Sequence, residues 1–283
     1  MLSARLRLVH PFPSLLNSVA VFVMASTAGG PVTAALRLAV AMLFIQFAIG
    51  TLNDVLDAPR DRDRRPIKPI AAGLVSASTA RGIALGSATG GLILVAPSGP
   101  ETLAVAAAGL GCGVTYDLWL SRTAISWLPL AFALPLVPLY AWLGASGGVP
   151  AAVLAVVPVA ILAGAGLAIG NALVDLEADR GHGRRTVAVV LGRTGAWATH
   201  ASGLVVAIVL AILLRPLGGG LAAERVLAAG IGLAVAGIVL ALTDVVPVGP
   251  PRGITGRIGW ALEAVGVAAI GIGWVLAAGA TTT

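Results

Sequence analysis

Runs of apolar residues, each roughly 20 long and free of charge, dominate this chain from Pro13 onward, and helices of that length cross the hydrocarbon of a bilayer. Nine such segments are expected, at approximately 13–29, 33–54, 76–96, 101–117, 124–143, 150–174, 194–214, 222–244 and 257–279. With 58% hydrophobic and 11% charged residues and a mean hydropathy of +0.99, the composition excludes a soluble single domain. Glycines inside the segments, among them Gly164, Gly166, Gly230, Gly232, Gly266 and Gly271, let helix backbones approach where lipid supplies no hydrophobic drive for association. The expected fold is an all-α membrane protein of about nine transmembrane helices, one polytopic domain over residues 1–283.

The net charge of +6 and pI of about 10.9 would point to nucleic acid in a soluble protein. Here the cations lie in short links between spans, where topology signalling explains them, so no nucleic-acid partner is expected. With the N-terminus in the cytoplasm, Arg5, Arg7, the 60–68 cluster, Arg81, Arg122, Arg180, Arg184, Arg185, Arg193, Arg252 and Arg257 share one side, and only Arg37, Arg215 and Arg225 take the other. The C-terminus is then outside. Arg5 and Arg7 ahead of Pro13–Ala28 superficially resemble a secretory signal, but the many later spans favour a retained first helix. Cys112 is the single cysteine, and His10, His182 and His200 have no paired ligand spacing, so a metal would be held by oxygen.

Two stretches break the apolar pattern with carboxylates. In NDVLDAPRDRDRRPIKP, Asn53, Asp57 and Asp61 recur at four-residue spacing, which on a helix shares one face. In NALVDLEADRGHGRR, Asn171, Asp175 and Asp179 repeat that spacing, and Arg62 and Arg180 follow the last aspartate of each. Both sit at the cytoplasmic ends of spans that run in the same direction, the second and the sixth. Ala-Ile-Gly precedes both, as Ala48–Gly50 and Ala168–Gly170. The pattern reads as a four-helix unit used twice, plus one helix, with halves at roughly 10–145 and 146–283. Asp54, Asp63 and Glu177 read as solvated loop charges.

Asp57, Asp61, Asp175 and Asp179 converging would repel one another in a partly dry site, so they need cations. Magnesium fits best, being held by a few carboxylates plus phosphate oxygens. Four aspartates balance two divalent ions, which then bind a diphosphate, while Asn53 and Asn171 add neutral carbonyl oxygens. Arg65, Lys68, Arg184 and Arg185 are placed to meet phosphate. A lipid-side cavity with a diphosphate clamp at its mouth suits isoprenoid diphosphates.

These residues also carry a resemblance. NDVLDAPRD and DLEADRGHGRRTVAVVLG resemble the two aspartate-rich motifs of the UbiA prenyltransferase superfamily, and RRPIKPIAAG its basic loop. The resemblance implies helices bundled around a central cavity that opens laterally to lipid. It implies two Mg2+ ions and a prenyl diphosphate held by Asn53, Asp57, Asp61, Asp175 and Asp179, with Asp57 and Asp175 as catalytic residues and Arg65 and Lys68 as phosphate clamps; Asn53, Arg122, Asn171 and Arg184 complete the expected substrate-binding set. Diphosphate departure leaves an allylic carbocation that a small-molecule or lipid acceptor attacks. Tyr116 orients diphosphate or acceptor, or stabilises the carbocation with its ring face. The family's lysine after that tyrosine is missing, with Leu120 and Ser121 at the expected positions and Arg122 nearby. Pro59 places Asp61 past the end of its helix. An ion-coupled transporter and a terpene-cyclase-like enzyme are the competing readings.

Overall fold

The structure is a computed structural model that describes residues 8, 10–59, 61, 68–217, 219–243 and 253–280, apart from the side chains of 253 and 254. Its elements are α1 (Pro11–Thr27), α2 (Val32–Asp57), α3 (Ala77–Val95), α4 (Pro100–Leu118), α5 (Leu128–Ser146), α6 (Ala151–Leu154), α7 (Val157–Val174), α8 (Leu176–Gly181), α9 (Val187–Leu214), α10 (Gly220–Leu242) and α11 (Gly253–Ala280). Single 3-10 turns at Ala96–Ser98 and Leu120–Arg122 follow α3 and α4. No strand occurs among the described residues.

Each of the nine anticipated segments corresponds to one long helix. Among the described residues seven helices are long and apolar enough to cross a membrane; Pro11–Thr27 is a shorter apolar helix, and α4, with Glu101 and Asp117 near its ends, is outside the seven. The chain is a multi-pass membrane protein. Two boundaries differ by seven residues: the segment at 150–174 divides into α6 and α7, and α9 starts at Val187 rather than 194, with Thr186 preceding a helical turn that kinks at Gly192 (φ 70°, ψ 169°). Only glycine takes that backbone conformation readily.

The chain divides into two compact units, Met1–Leu118 with Tyr140–Gly148, and Trp119–Leu139 with Val149–Thr283. In the first, α2 packs against α1, α3 and α4. Its buried stripe is Ala35, Leu38, Ala39, Ala41, Met42, Ile45 and Ala48, and Tyr140 Oη donates to the Leu38 carbonyl (3.0 Å). Small alanines at these positions keep the helices close. A smaller cluster of Leu8, Val75 and Ala80, backed by Val55, Ile70 and Ile83, pins the segment after Pro69 beneath the end of α2.

In the second unit α7 packs on α9 and α11, and α10 on α11. The α10–α11 seam is glycine-lined: a Cβ on Gly266 would lie 2.6 Å from Ala234 N and 2.7 Å from Gly230 O. Gly232, counted above with the packing glycines, instead faces open space. Ile169, Leu173, Leu176, Val187, Ala188 and Ala196 form the core beneath the second acidic stretch.

Candidate functional site

Asn53 and Asp57 occupy the last turns of α2, four apart and on one face. The helix stops at Asp57, and Asp61 lies beyond the Ala58–Pro59 turn, buried at 2% exposure. Arg65, with Arg62 and Asp63, falls outside the described residues.

Lys68 Nζ donates to Asp54 Oδ1 (2.7 Å) and stands 3.1 Å from Asp61 Oδ2. His10 Nε2 lies 3.1 Å from the same Asp54 oxygen. Asp54 is therefore no solvated loop charge. It is 2% exposed and is the hub of an ion-paired knot. Burial by itself would lower the Lys68 pKa, but the carboxylates of Asp54 and Asp61 outweigh it and raise it above the ordinary lysine value. Turns from Lys68 O to Ala72 N and from Pro69 O to Leu74 N hold this lysine in place. His10 adopts a left-handed backbone (φ 45°, ψ 68°) just before Pro11, which costs a non-glycine residue roughly 1 kcal/mol. Its ring lies over Gly50, where a Cβ would come within 3.1 Å.

On α4, Tyr116 is half-buried, and Asp117 beside it is 3% exposed. Asn53 Nδ2 donates to Asp117 Oδ1 (3.0 Å), which ties the end of α2 to the end of α4.

The second stretch does not keep one continuous helical face. α7 ends at Val174, Asp175 takes a non-helical conformation (φ −97°, ψ 7°), and α8 carries Asp179. Asp175 sits in the sparsely populated bridge region where active-site residues recur, yet its carbonyl still accepts from Asp179 N (2.9 Å). Leu176, fully buried, anchors the break. Asn171 is exposed, Asp175 half-buried and Asp179 buried. Arg184 Nη1 lies 3.2 Å from Asp179 Oδ1, and the Arg122 carbonyl accepts from Arg185 N (3.2 Å), which brings the Leu120–Arg122 turn to this stretch. Glu177 is exposed and pairs with Arg180 and Arg193, in keeping with a surface charge.

Behind Asn171 lies a polar group that spacing did not foretell. His200 Nδ1 donates to the Gly166 carbonyl (2.8 Å), its Nε2 is 3.0 Å from Glu263 Oε1, and Trp260 Nε1 donates to the Leu167 carbonyl (3.0 Å). The His200 ring lies against Gly170 as that of His10 lies against Gly50. The glycines are those of the two Ala-Ile-Gly stretches.

The oxygen-only donor set suits a hard cation. Asp117 Oδ2 is buried with no hydrogen-bond partner among the described residues, an atom that a cation or its water would satisfy. Among the described residues no three acidic, histidine or cysteine side chains converge to enclose a metal by themselves. Magnesium needs less than that, since one or two carboxylates with waters and substrate phosphates hold it. Of the residues that spacing missed, Asp117 left a signal in an acidic side chain closing an apolar run, next to Tyr116. Asp54, His10, His200 and Glu263 left none, because their partners are remote in sequence.

The UbiA prenyltransferase family model matches residues 14–250. The digeranylgeranylglyceryl phosphate synthase of Methanoculleus marisnigri is 28% identical over 202 residues, covering 69% of this chain and 72% of that protein. The solved structure of a UbiA homolog from Archaeoglobus fulgidus bound to GPP and Mg2+ has a TM-score of 0.75 at 16% identity, covering 97% of this chain and 99% of the other. The apo structure of a UbiA homolog from Aeropyrum pernix K1 has a TM-score of 0.66 at 20% identity, covering 95% and 97%. Membrane-length helices, two asparagine–aspartate stretches in order and a family match over most of the chain agree: this protein belongs to the UbiA prenyltransferase family.

Proposed function

We infer that the chain is a magnesium-dependent intramembrane transferase that moves a prenyl group from an isoprenoid diphosphate to an acceptor nucleophile. The observation that carries this reading is the placement of oxygen ligands and cations where apolar helices end. Asn53 and Asp57 close α2 with Lys68 beside them, and Asp175 breaks the helix after α7 with Arg184 beside Asp179. Asn53, Asp57, Asp61, Asp175 and Asp179 would hold the metal. Arg65, Lys68, Arg122, Asn171 and Arg184 bind the substrate, and the cations among them meet phosphate oxygens. Magnesium bound there would neutralise the diphosphate and stabilise the charge that develops on the leaving group.

When the allylic C–O bond breaks, its electron pair leaves with the diphosphate, and the acceptor attacks the cation and loses a proton. Lys68 offers an ammonium already oriented by two carboxylates, so little side-chain freedom remains to be lost on meeting phosphate. Tyr116 orients the reacting group or faces the carbocation. The cationic links put the N-terminus and the mouth of the site in the cytoplasm, and the C-terminus outside.

Two relatives support the choice of substrates to try first. The A. fulgidus homolog is bound to GPP and Mg2+, and the M. marisnigri relative is named for a prenylated glyceryl phosphate product. Protein reconstituted in vesicles is incubated with labelled allylic diphosphates and a prenylglyceryl phosphate, with magnesium or with chelator. Metal-dependent label transfer is expected, falling by roughly 100-fold or more in Asp57→Ala and Asp175→Ala. Undiminished transfer in chelator, or full rates in both variants, overturns the reading. A labelled cyclic hydrocarbon formed without acceptor would make the chain a cyclase instead.

A further inference from the structure

Asp117 stands outside the two aspartate stretches, yet it is one of the most buried carboxylates in the chain. Its Oδ1 accepts from Asn53 Nδ2 at 3.0 Å, and its Oδ2 has no hydrogen-bond partner among the described residues. Burying a carboxylate that is half satisfied costs more than tying two helices together requires, because a neutral side chain would do that without the desolvation penalty. Packing between α2 and α4 does not call for the charge either. The helices are already in close contact at Gly113, where a Cβ would lie 2.5 Å from the Ile49 side chain.

Oδ1 of an aspartate accepts here whether or not Oδ2 carries a proton. Facing Asn53, it selects the amide NH2 and rejects the carbonyl. The nitrogen and oxygen of an amide diverge from one carbon, so holding the nitrogen turns Asn53 Oδ1 away from Asp117 and leaves it for a cation. Without that contact the amide is free to flip and to present donors to a cation, which repels them.

We propose that Asp117 is the positioning residue of the first aspartate stretch: it fixes the Asn53 amide so that the carbonyl oxygen serves the magnesium–diphosphate site. The inference rests on the magnesium-dependent reading above and adds to it a residue that neither aspartate stretch contains. Asp117 is a positioning residue because it acts through Asn53. It does so from behind the ligand, as outer partners of metal ligands do.

The test is a double-mutant cycle read by metal binding. Full-length wild type, Asp117→Ala, Asp117→Asn, Asn53→Ala and the Asn53→Ala/Asp117→Ala double variant are purified in detergent and titrated calorimetrically with Mn2+ in the presence of inorganic pyrophosphate. Asp57→Ala serves as the control for site occupancy. Asp117→Ala is expected to weaken metal binding by roughly 10–100-fold, the usual effect of losing an outer partner. Asp117→Asn is expected to weaken binding less than Asp117→Ala, because its amide still meets Asn53 but does so in either orientation. In the Asn53→Ala background Asp117→Ala adds nothing, because the group it positions is gone.

Wild-type affinity in Asp117→Ala overturns the proposal. So does equal weakening by Asp117→Asn, or a full additive loss in the Asn53→Ala background, since either makes Asp117 a mere charge. Asp117→Leu, branched at Cγ as aspartate is and unable to accept, replaces the alanine variant should that one fail to fold. Indistinguishable titrations of wild type and Asp57→Ala would sink the magnesium reading itself. Metal binding that is lost in Asp57→Ala but unchanged in Asp117→Ala would sink only the role of Asp117.

Discussion

Lys68 holds two carboxylates whose fates differ. Asp54, with Lys68 and His10 on one oxygen, is committed to structure, whereas Asp61 shares the same lysine from beyond the helix end. Lys68→Met leaves Asp54 buried with His10 alone. It is expected to destabilise the protein by about 3 kcal/mol, measured by thermal unfolding in detergent. Folding raises the Lys68 pKa, so the folded state favours the charged form. Its stabilisation is complete below the ordinary lysine value of 10.5 and drains away as pH climbs through the higher folded value. The melting temperature of the wild type should therefore fall on that alkaline limb, and the fall should be smaller in Lys68→Met. Asn53 and Asp57 were legible in the sequence because four-residue spacing is a local property of a helix. Asp54 was not, since its neighbours in sequence say nothing of a histidine 44 residues away.

Individual helices are set by what their faces meet. At the α10–α11 seam, Gly266→Ala drives a Cβ against the backbone of Ala234 and Gly230. That overpacking costs about 1–3 kcal/mol, more than the ~1 kcal/mol of helix propensity that alanine returns. Gly232→Ala meets nothing within 4 Å and keeps only the propensity gain. Thermal melts should separate the two, with Gly266→Ala lower than wild type and Gly232→Ala equal or higher. The His200–Glu263 pair bears on α7 in a different way. With Trp260 it places donors on the carbonyls of Gly166 and Leu167, one turn before Gly170 and Asn171. Glu263→Ala leaves His200 buried without its carboxylate and is expected to cost roughly 3–5 kcal/mol. The long helices among the described residues could be read from apolar length, whereas the break at Asp175 could not. Val174, Asp175 and Leu176 have no proline or glycine among them, and the break is held by Leu176 packing into the core.

Across the whole molecule, the proposed orientation rests on charge asymmetry. Of the three cations assigned to the far side, Arg37 donates to the Leu94 carbonyl (2.6 Å) and Ser98 Oγ (2.8 Å), and Arg215 Nε to Glu224 (3.1 Å). Reporter fusions before Met1 and after Thr283 should report opposite sides of the membrane, with the N-terminus cytoplasmic. Both termini on one side would contradict the odd span count. Each Ala-Ile-Gly glycine carries a histidine ring against it, Gly50 under His10 and Gly170 under His200. By itself the sequence determined that this is a helical membrane protein, where its helices run and where carboxylates gather at their ends. Those properties follow from apolar run length and from the spacing of neighbouring charges. Only the tertiary structure decided which polar groups are paired: Asp54 with His10, Asn53 with Asp117 and His200 with Glu263, separated by 44, 64 and 63 residues. Such pairs form when packing turns particular helix faces together, and no local pattern in the chain records which faces will meet.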